Sequence, residues 1–358
     1  MCAEERPNGL EPSQELAVEL RRQVRSTYGP EVIEDEGGFA SLYAMPGQVG
    51  LFSRRCKNPV LVAGSSSLGP KLALARRLGR HETLGVDLVA LCVNHVLEPG
   101  ALPLFFQSCV AGGTLDARQR LDVVKGVAEG CREADCALLG SVWPSATTEC
   151  QMPDSKCQIG DYELAGFAVG MVERARLIDG RRRVRPGDVL LGLHAAGLHG
   201  AGIERAAKVL LDTAGLAAEE VAPELGCSVA DELLRPTRLY VRPLRAVLDH
   251  YRVKGVVHAL AHIAGGLADG LARVLGRRCV ARIATASWPR PPVFEMIARL
   301  GGIPDAEMFR VFHMGMGMVA VVSPYYADAI IDLLRRRGQA ASVIGEVARG
   351  EGPAAELV

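Results

Sequence analysis

The sequence predicts a two-domain α/β or α+β protein, on three observations. The chain has 358 residues, too long for one compact core and the right length for two domains of ordinary size. Strand-like and helix-like segments alternate along it. A turn-rich stretch over 178–187 interrupts that alternation near the middle. The expected division is an N-terminal extension (1–35), a first domain (36–176), a linker (177–187) and a second domain (188–350).

Each element has a local reason. Residues 15–25 are amphipathic at helical spacing and stop at Tyr28-Gly29-Pro30. Residues 59–63 read as a strand running into a loop, Gly64-Ser65-Ser66-Ser67-Leu68-Gly69, with a helix over 71–78. Residues 87–97 carry Leu88, Leu91, Cys92 and Val96 at helical spacing and end before Pro99-Gly100. Leu104-Phe105-Phe106 reads as a buried strand. The clearest helix is 116–134, with Asp116 at its start and Leu121, Val124, Ala128 and Cys131 on one stripe. Strands at 136–139 and 164–172 flank a polar, aperiodic segment, 141–160, whose length marks it as more than a connection. Beyond the linker, strands are expected at 189–193, 256–260, 316–322 and 341–347, and helices at 201–211, 237–248, 267–274 and 325–336.

Composition excludes several classes. Apolar residues at 49% and charged residues at 23% describe a globular chain. The 41 basic and 41 acidic side chains cancel, which leaves no global electrostatic footprint for nucleic acid or a membrane. The runs Arg181-Arg182-Arg183 and Arg335-Arg336-Arg337 lack interleaved aromatics and read as solvated surface. No apolar stretch approaches the roughly 20 residues that cross a bilayer, and the polar, acidic first residues are unlike a signal peptide. No CxxC pair occurs, so no structural metal is expected. Cys92, Cys131 and Cys136 sit in apolar periodic segments as small buried hydrophobes, which fits a reduced, cytoplasmic setting.

A set of strings then narrows the reading. The first half holds Gly79-Arg80-His81-Glu82-Thr83, Gly85-Val86-Asp87-Leu88-Val89-Ala90, Cys92-Val93-Asn94, Pro103-Leu104-Phe105-Phe106, Gly126-Val127-Ala128-Glu129-Gly130-Cys131 and Asp161-Tyr162-Glu163-Leu164-Ala165-Gly166-Phe167. The second holds Gly197-Leu198-His199, Pro236-Thr237-Arg238-Leu239-Tyr240-Val241, Ala261-His262-Ile263 before Gly265-Gly266, Ser287-Trp288-Pro289, Glu307-Met308-Phe309-Arg310 and Met314-Gly315-Met316-Gly317-Met318. In this order they resemble the aminoimidazole ribonucleotide synthetase (phosphoribosylformylglycinamidine cyclo-ligase) family. The resemblance implies an AIR-synthetase-like fold: an N-terminal, ATP-binding-type α+β domain whose sheets pair across a homodimer, and a C-terminal α/β domain. It also implies ATP and Mg²⁺ as cofactors. In the family, ATP phosphorylates an amide oxygen of formylglycinamidine ribonucleotide, and a neighbouring nitrogen closes the imidazole ring. Gly69, Lys71, His81 and Asn94 become candidate nucleotide contacts, and His199 the candidate catalytic residue.

Such chemistry needs carboxylates for Mg²⁺ and backbone N–H groups against the phosphates. Where the family carries Thr-Asp-Gly-Val-Gly-Thr-Lys, this chain reads Ser65-Ser66-Ser67-Leu68-Gly69-Pro70-Lys71. Ser66 thus replaces an aspartate, and Pro70 removes a backbone donor. Two further family acids are His95 and Ser108 here. The family's Gly-Gly-Glu-Thr-Ala-Glu-Met-Pro becomes Gly140-Ser141-Val142-Trp143-Pro144, its ending reappearing at Gln151-Met152-Pro153-Asp154. Its Ser-Ser-Gly-Leu-His-Ser-Asn-Gly becomes Ala195-Ala196-Gly197-Leu198-His199-Gly200-Ala201-Gly202, and an asparagine becomes His313. The expectation is a degenerate or repurposed paralogue with little cyclo-ligase activity, one that binds a small nucleotide, pairs with an active paralogue or serves as a scaffold. The alternative is an active ATP-dependent cyclo-ligase with carboxylates relocated to Glu98, Glu149 and Asp154. A transition-metal site of His95, His199 and His313 is weighed against isolated loop histidines, and the latter reading is preferred.

Overall fold

The structure, a computed structural model, describes residues 14–30, 32–33, 42–43, 58–111, 115–142, 162–351 and 354–358. The first half runs α1 (Gln14–Arg25), a two-stranded ribbon β1 (Val32–Ile33) and β2 (Leu42–Tyr43), β3 (Pro59–Ser67), α2 (Pro70–Leu78) and α3 (Leu84–Leu97). It continues through β4 (Leu102–Ala111), α4 (Ala117–Ala134), β5 (Ala137–Val142) and β6 (Glu163–Glu173). Strands order as β3-β6-β4-β5, and only the β4/β5 pair is parallel. α3 and α4 cover one face. They approach backbone to backbone, because a Cβ on Gly85 would stand 2.2 Å from the Val127 nitrogen. The other sheet face is open, with Leu61 57% and Phe167 42% exposed. Helix α4 starts as the sequence predicts. Asp116 accepts the Gln119 N–H at 2.8 Å, and the Gln119 side chain accepts the Asp116 N–H at 3.0 Å, forming a capping box.

The second half runs α5 (Gly180–Arg183), β7 (Val189–His194), α6 (Ile203–Ala207), β8 (Val221–Ala222), β9 (Cys227–Ser228), α7 (Val229–Leu233) and α8 (Val241–His250). Then come β10 (Val257–His262), α9 (Leu267–Ala272), β11 (Cys279–Ile283), α10 (Pro292–Gly301), α11 (Asp305–Val311), β12 (Met316–Val322), α12 (Ala327–Arg336), β13 (Ala341–Arg349) and β14 (Ala354–Leu357). Six strands form one sheet, β10-β12-β7-β13-β11-β14, antiparallel except for β11/β14. Every residue of β12 is buried, so it runs through the core without polar alternation.

Three expectations change. The serine segment after residue 63 is strand and not loop: β3 pairs with β6 through Ser67 opposite Ala165. Gly64 permits this, since a Cβ there would meet the Cys92 carbonyl of α3 at 2.9 Å. The helix expected over 237–248 begins only at Val241, because residues 236–240 are pinned against the first domain as described below. The helix expected over 201–211 is split into α6 and a wider π-type turn, Lys208–Thr213. Strand β11 and helices α10 and α11 lie in a stretch for which no element was expected, although Val293, Phe294, Met296 and Ile297 of α10 recur at helical spacing and are buried. The buried thiols Cys92, Cys131 and Cys136 are as predicted. Most of the long 141–160 segment falls outside the described residues. Among the described residues no helix is long and apolar enough to cross a membrane.

Candidate functional site

Helix α3 is apolar nearly all round, and its few polar side chains point at the second domain. Asp87 is 1% exposed and Lys71, in the first turn of α2, is 2% exposed. The Lys71 ammonium lies 2.7 Å from one Asp87 oxygen and donates to the Arg235 carbonyl at 2.6 Å. The other Asp87 oxygen accepts both the Thr237 N–H (2.8 Å) and its hydroxyl (2.6 Å). Seven residues on, Asn94 donates to the Arg238 carbonyl at 2.9 Å and accepts the Tyr240 N–H at 3.1 Å. Glu98 accepts the His262 N–H at 2.7 Å and the Arg273 guanidinium at 2.9 Å. Positions 87, 94 and 98 share a helix face, so one side of α3 docks two segments of the other domain.

Imidazoles continue this seam. His199 holds a positive φ of 54°, and its Nε2 accepts the Ala196 and Arg238 N–H groups, each at 3.2 Å. Its proton therefore sits on Nδ1, which has no hydrogen-bond partner among the described residues. The His313 ring lies 4.9 Å from that of His199; its Nδ1 accepts the Gly315 N–H and its Nε2 donates to the Leu198 carbonyl, each at 3.1 Å. His262, 1% exposed, stands 5.0 Å from the ring of His95, and neither of its ring nitrogens has a hydrogen-bond partner among the described residues. Burial, reinforced by the neighbouring imidazoles, holds His199 and His262 well below the ordinary histidine pKa. Burial likewise lowers His95, and it pushes His313 down to about 4. At neutral pH this group is an uncharged, proton-poor seam.

The three positions where the resemblance implies acids also come together. Ser66 on β3 and Ser108 on β4 both register against Gly166 of β6, so they flank one residue on the helix-covered face, about 10 Å apart from the usual strand spacing. A Cβ on Gly64, two residues before Ser66, would stand 3.7 Å from the His95 Cβ. The Ser66 hydroxyl donates to the Ser67 carbonyl at 3.3 Å, and Ser108 is buried. Hydroxyls and an imidazole are a poor donor set for Mg²⁺. Among the described residues no group of three or more His, Cys, Asp or Glu side chains is placed to hold a metal ion. The described residues therefore do not fit Mg²⁺.

Each residue singled out in the sequence has a definite place. Gly69, at φ 48°, precedes α2 with open space around it, but Pro70 lacks an N–H. The next two donors, Lys71 and Leu72, bond the Leu68 and Gly69 carbonyls at 3.2 and 3.0 Å. That turn offers few donors to a phosphate. Lys71, Asn94 and His199 all meet on residues 235–240. His81 stands apart: the Gln119 amide donates to its Nε2 at 3.3 Å, so its Nδ1–H donates to the Tyr162 oxygen at 2.6 Å. Of the relocated acids, Glu98 is engaged in the seam, and Glu149 and Asp154 fall outside the described residues. Sequence reasoning missed Asp87 and Thr237. The available signal was the spacing of Asp87, Asn94 and Glu98 on an otherwise apolar helix.

Residues 55–172 match the N-terminal domain, and residues 185–358 the C-terminal domain, of AIR synthase related proteins. The phosphoribosylformylglycinamidine cyclo-ligase of Myxococcus xanthus (strain DK1622) is 41% identical over 350 residues, covering 98% of this chain and 96% of that one. The protein of the same name from Sorangium cellulosum (strain So ce56) is 42% identical over 333 residues, covering 93% and 91%. Among solved structures, a thiamine-monophosphate kinase from Stenotrophomonas maltophilia K279a superposes with a TM-score of 0.65 at 18% identity, covering 96% of this chain and 95% of that one. The hydrogenase maturation protein HypE, solved in complex with ATP, gives 0.62 at 17% identity, covering 98% and 92%. At those identities the structural matches speak for the fold alone.

Proposed function

Because the chain belongs to the AIR synthase related family, we propose that it carries out the reaction of its cyclo-ligase relatives, the ATP-dependent closure of formylglycinamidine ribonucleotide to aminoimidazole ribonucleotide. The observation that carries this reading is identity near 41% along almost the whole chain with proteins of that name. Lys71 and Asn94 act here as positioning residues that hold residues 235–240 against the first domain, and His199 fixes Arg238 from within the second. His81 positions Tyr162 beside the start of β6. No step through Mg²⁺ follows from the described residues. The reading therefore requires carboxylates from residues 143–161, where Glu149 and Asp154 stand.

A second reading, a paralogue with little turnover, is favoured by one observation: Ser66 and Ser108 share one sheet face, His95 of α3 packs over it at Gly64, and none of the three is a carboxylate. One assay separates the two: ADP release by concentrated protein with Mg·ATP and formylglycinamidine ribonucleotide, beside the M. xanthus cyclo-ligase. Turnover within about tenfold of that control, or roughly 1.4 kcal/mol in barrier, supports the first reading. In that case Glu149→Gln or Asp154→Asn lowers turnover by roughly 10²–10³. No turnover beside a working control supports the second reading and directs attention to nucleotide binding or to pairing with an active paralogue.

Further proposals attach to the same reading. The domain division is 36–176 and 188–350 about a linker at 177–187. The open face of β3 and β6, with Leu61 and Phe167 exposed, takes a second copy of the chain. Light scattering checks this, because Leu61→Asp and Phe167→Asp are expected to convert dimer to monomer. The buried free thiols favour a reducing, cytoplasmic setting.

A further inference from the structure

At the end of β10 opposite His262, the linker and the turn after α8 enclose a cleft of about 750 Å³. Its size is that of a small-molecule site. Leu102 and Met171 from the first domain, with Leu248 and Val256 from the second, provide apolar surface. Seven Arg and Lys side chains line the cleft against only two carboxylates, Glu173 and Asp249, in a chain whose charges otherwise balance.

Those carboxylates leave much of the positive charge unanswered. Glu173 accepts the Asn58 N–H at 3.2 Å, and Asp249 lies 3.8 Å from Arg245, which also pairs with Asp135. Arg182 pairs with Asp179 at 3.3 Å, and the Lys254 ammonium sits 5.1 Å from the centre of the Tyr326 ring. Arg176, Arg183, Arg185 and Arg252 have no carboxylate within ion-pair reach among the described residues. Arg183 and Arg185 come from the linker, Arg176 from the turn just before it and Arg252 from the turn after α8. Arg183 reaches across to that turn, its Nη1 4.0 Å from where a Cβ on Gly255 would stand. Guanidinium groups converging from two elements give phosphate oxygens paired, charge-assisted donors.

We infer that this cleft is a second ligand site, separate from the interdomain seam, and that it binds a small organic polyphosphate. The phosphates lie among Arg176, Arg183, Arg185 and Arg252, and the organic body rests on the Leu102, Met171 and Leu248 surface. Concavity and an apolar floor suit a compact anion. A nucleic-acid strand would need an exposed aromatic platform, whereas Tyr251 is packed against Tyr326 at 5.4 Å. Because the site joins the linker to both domains, occupancy ties them together.

The test is titration calorimetry of the full chain, without Mg²⁺ and at low salt, using ATP and inorganic tripolyphosphate as probes. Both are expected to bind with dissociation constants well below about 1 mM, and Arg183→Ala/Arg252→Ala to weaken both at least about tenfold. An unchanged melting temperature in the ligand-free double variant shows that it folds. ATP binding more tightly than tripolyphosphate assigns the natural ligand to nucleotides; equal affinity assigns it to phosphate groups alone. Hydrogen exchange is expected to slow over 174–186 and 248–258 with either probe. No binding below about 1 mM, binding indifferent to the double substitution, or protection confined to 59–71 each overturns the assignment.

Discussion

Helix α3 separates two regions built from equally short side chains to opposite effect. On the side facing the second domain, Asp87, Asn94 and Glu98 each hold partners 144 to 175 residues away in sequence. On the side facing the sheet, Ser66 and Ser108 flank Gly166 with no carboxylate between them, and the Cβ of His95, whose ring meets His262 in the seam, lies over Gly64. The first region fixes how two domains meet. The second is where the family pattern implies phosphate chemistry. The polar contacts of the first region are enforced by the cost of burying an unpaired charge, and those of the second are not.

The sharpest way to break this contrast is at Lys71. Lys71→Met leaves the Asp87 carboxylate buried without its cation and the Arg235 carbonyl without its donor. Urea unfolding is expected to show a loss of about 3–5 kcal/mol. Lys71→Met/Asp87→Asn is expected to lose less, since the amide still accepts from Thr237 and carries no charge. A loss below about 1 kcal/mol for the single variant would mean that the seam does not hold the domains.

Acidification probes the same seam through its imidazoles. His313 has its pKa pushed from 6.5 to about 4 by burial, so the unfolded chain binds a proton there before the folded one does. Stability is full above about pH 6.5 and falls as the pH drops toward 4, by roughly 3 kcal/mol for this group alone. His199 and His262 shift in the same direction and steepen the fall. Glu98 opposes the shift at His95, whereas Arg273 adds to it. Urea midpoints measured from pH 7.5 to 5 should decline, and His313→Asn should flatten the decline. A flat wild-type profile would show that these rings are solvated.

Much of the fold was legible because it rests on local rules. The first half of strand β3 and helix α4 announce themselves by composition, periodicity and the Asp116 cap. The seam was not legible, because its contacts are long-range: nothing near Lys71 points to Arg235, and residues 237–240 read as helix until Asp87 and Asn94 pin them. The acid positions were legible as departures from a family pattern, but the meeting of Ser66 and Ser108 at Gly166 was not. That convergence depends on β6 lying between β3 and β4, and strand order follows from no single segment.

A smaller effect is expected where the seam is tight but uncharged. A Cβ on Gly317 of β12 would stand 2.3 Å from the Tyr240 hydroxyl and 2.6 Å from His199 Cε1. Gly317→Ala should cost about 1–3 kcal/mol through overpacking, read as a lower urea midpoint with an unchanged slope.

The smallest effect belongs to the other side of α3. Among the described residues the Ser66 hydroxyl makes one long bond, to its neighbour's carbonyl, so Ser66→Ala should leave stability within about 0.5 kcal/mol. Ser66→Asp then becomes informative about chemistry, since it places a carboxylate on the rung beside Ser108 without removing a contact the fold needs. If ADP release with formylglycinamidine ribonucleotide rises in Ser66→Asp while the midpoint barely moves, the rung governs turnover independently of the seam. If Ser66→Ala costs as much as Gly317→Ala, the two sides of α3 are not separable, and the contrast between architecture and reactivity fails.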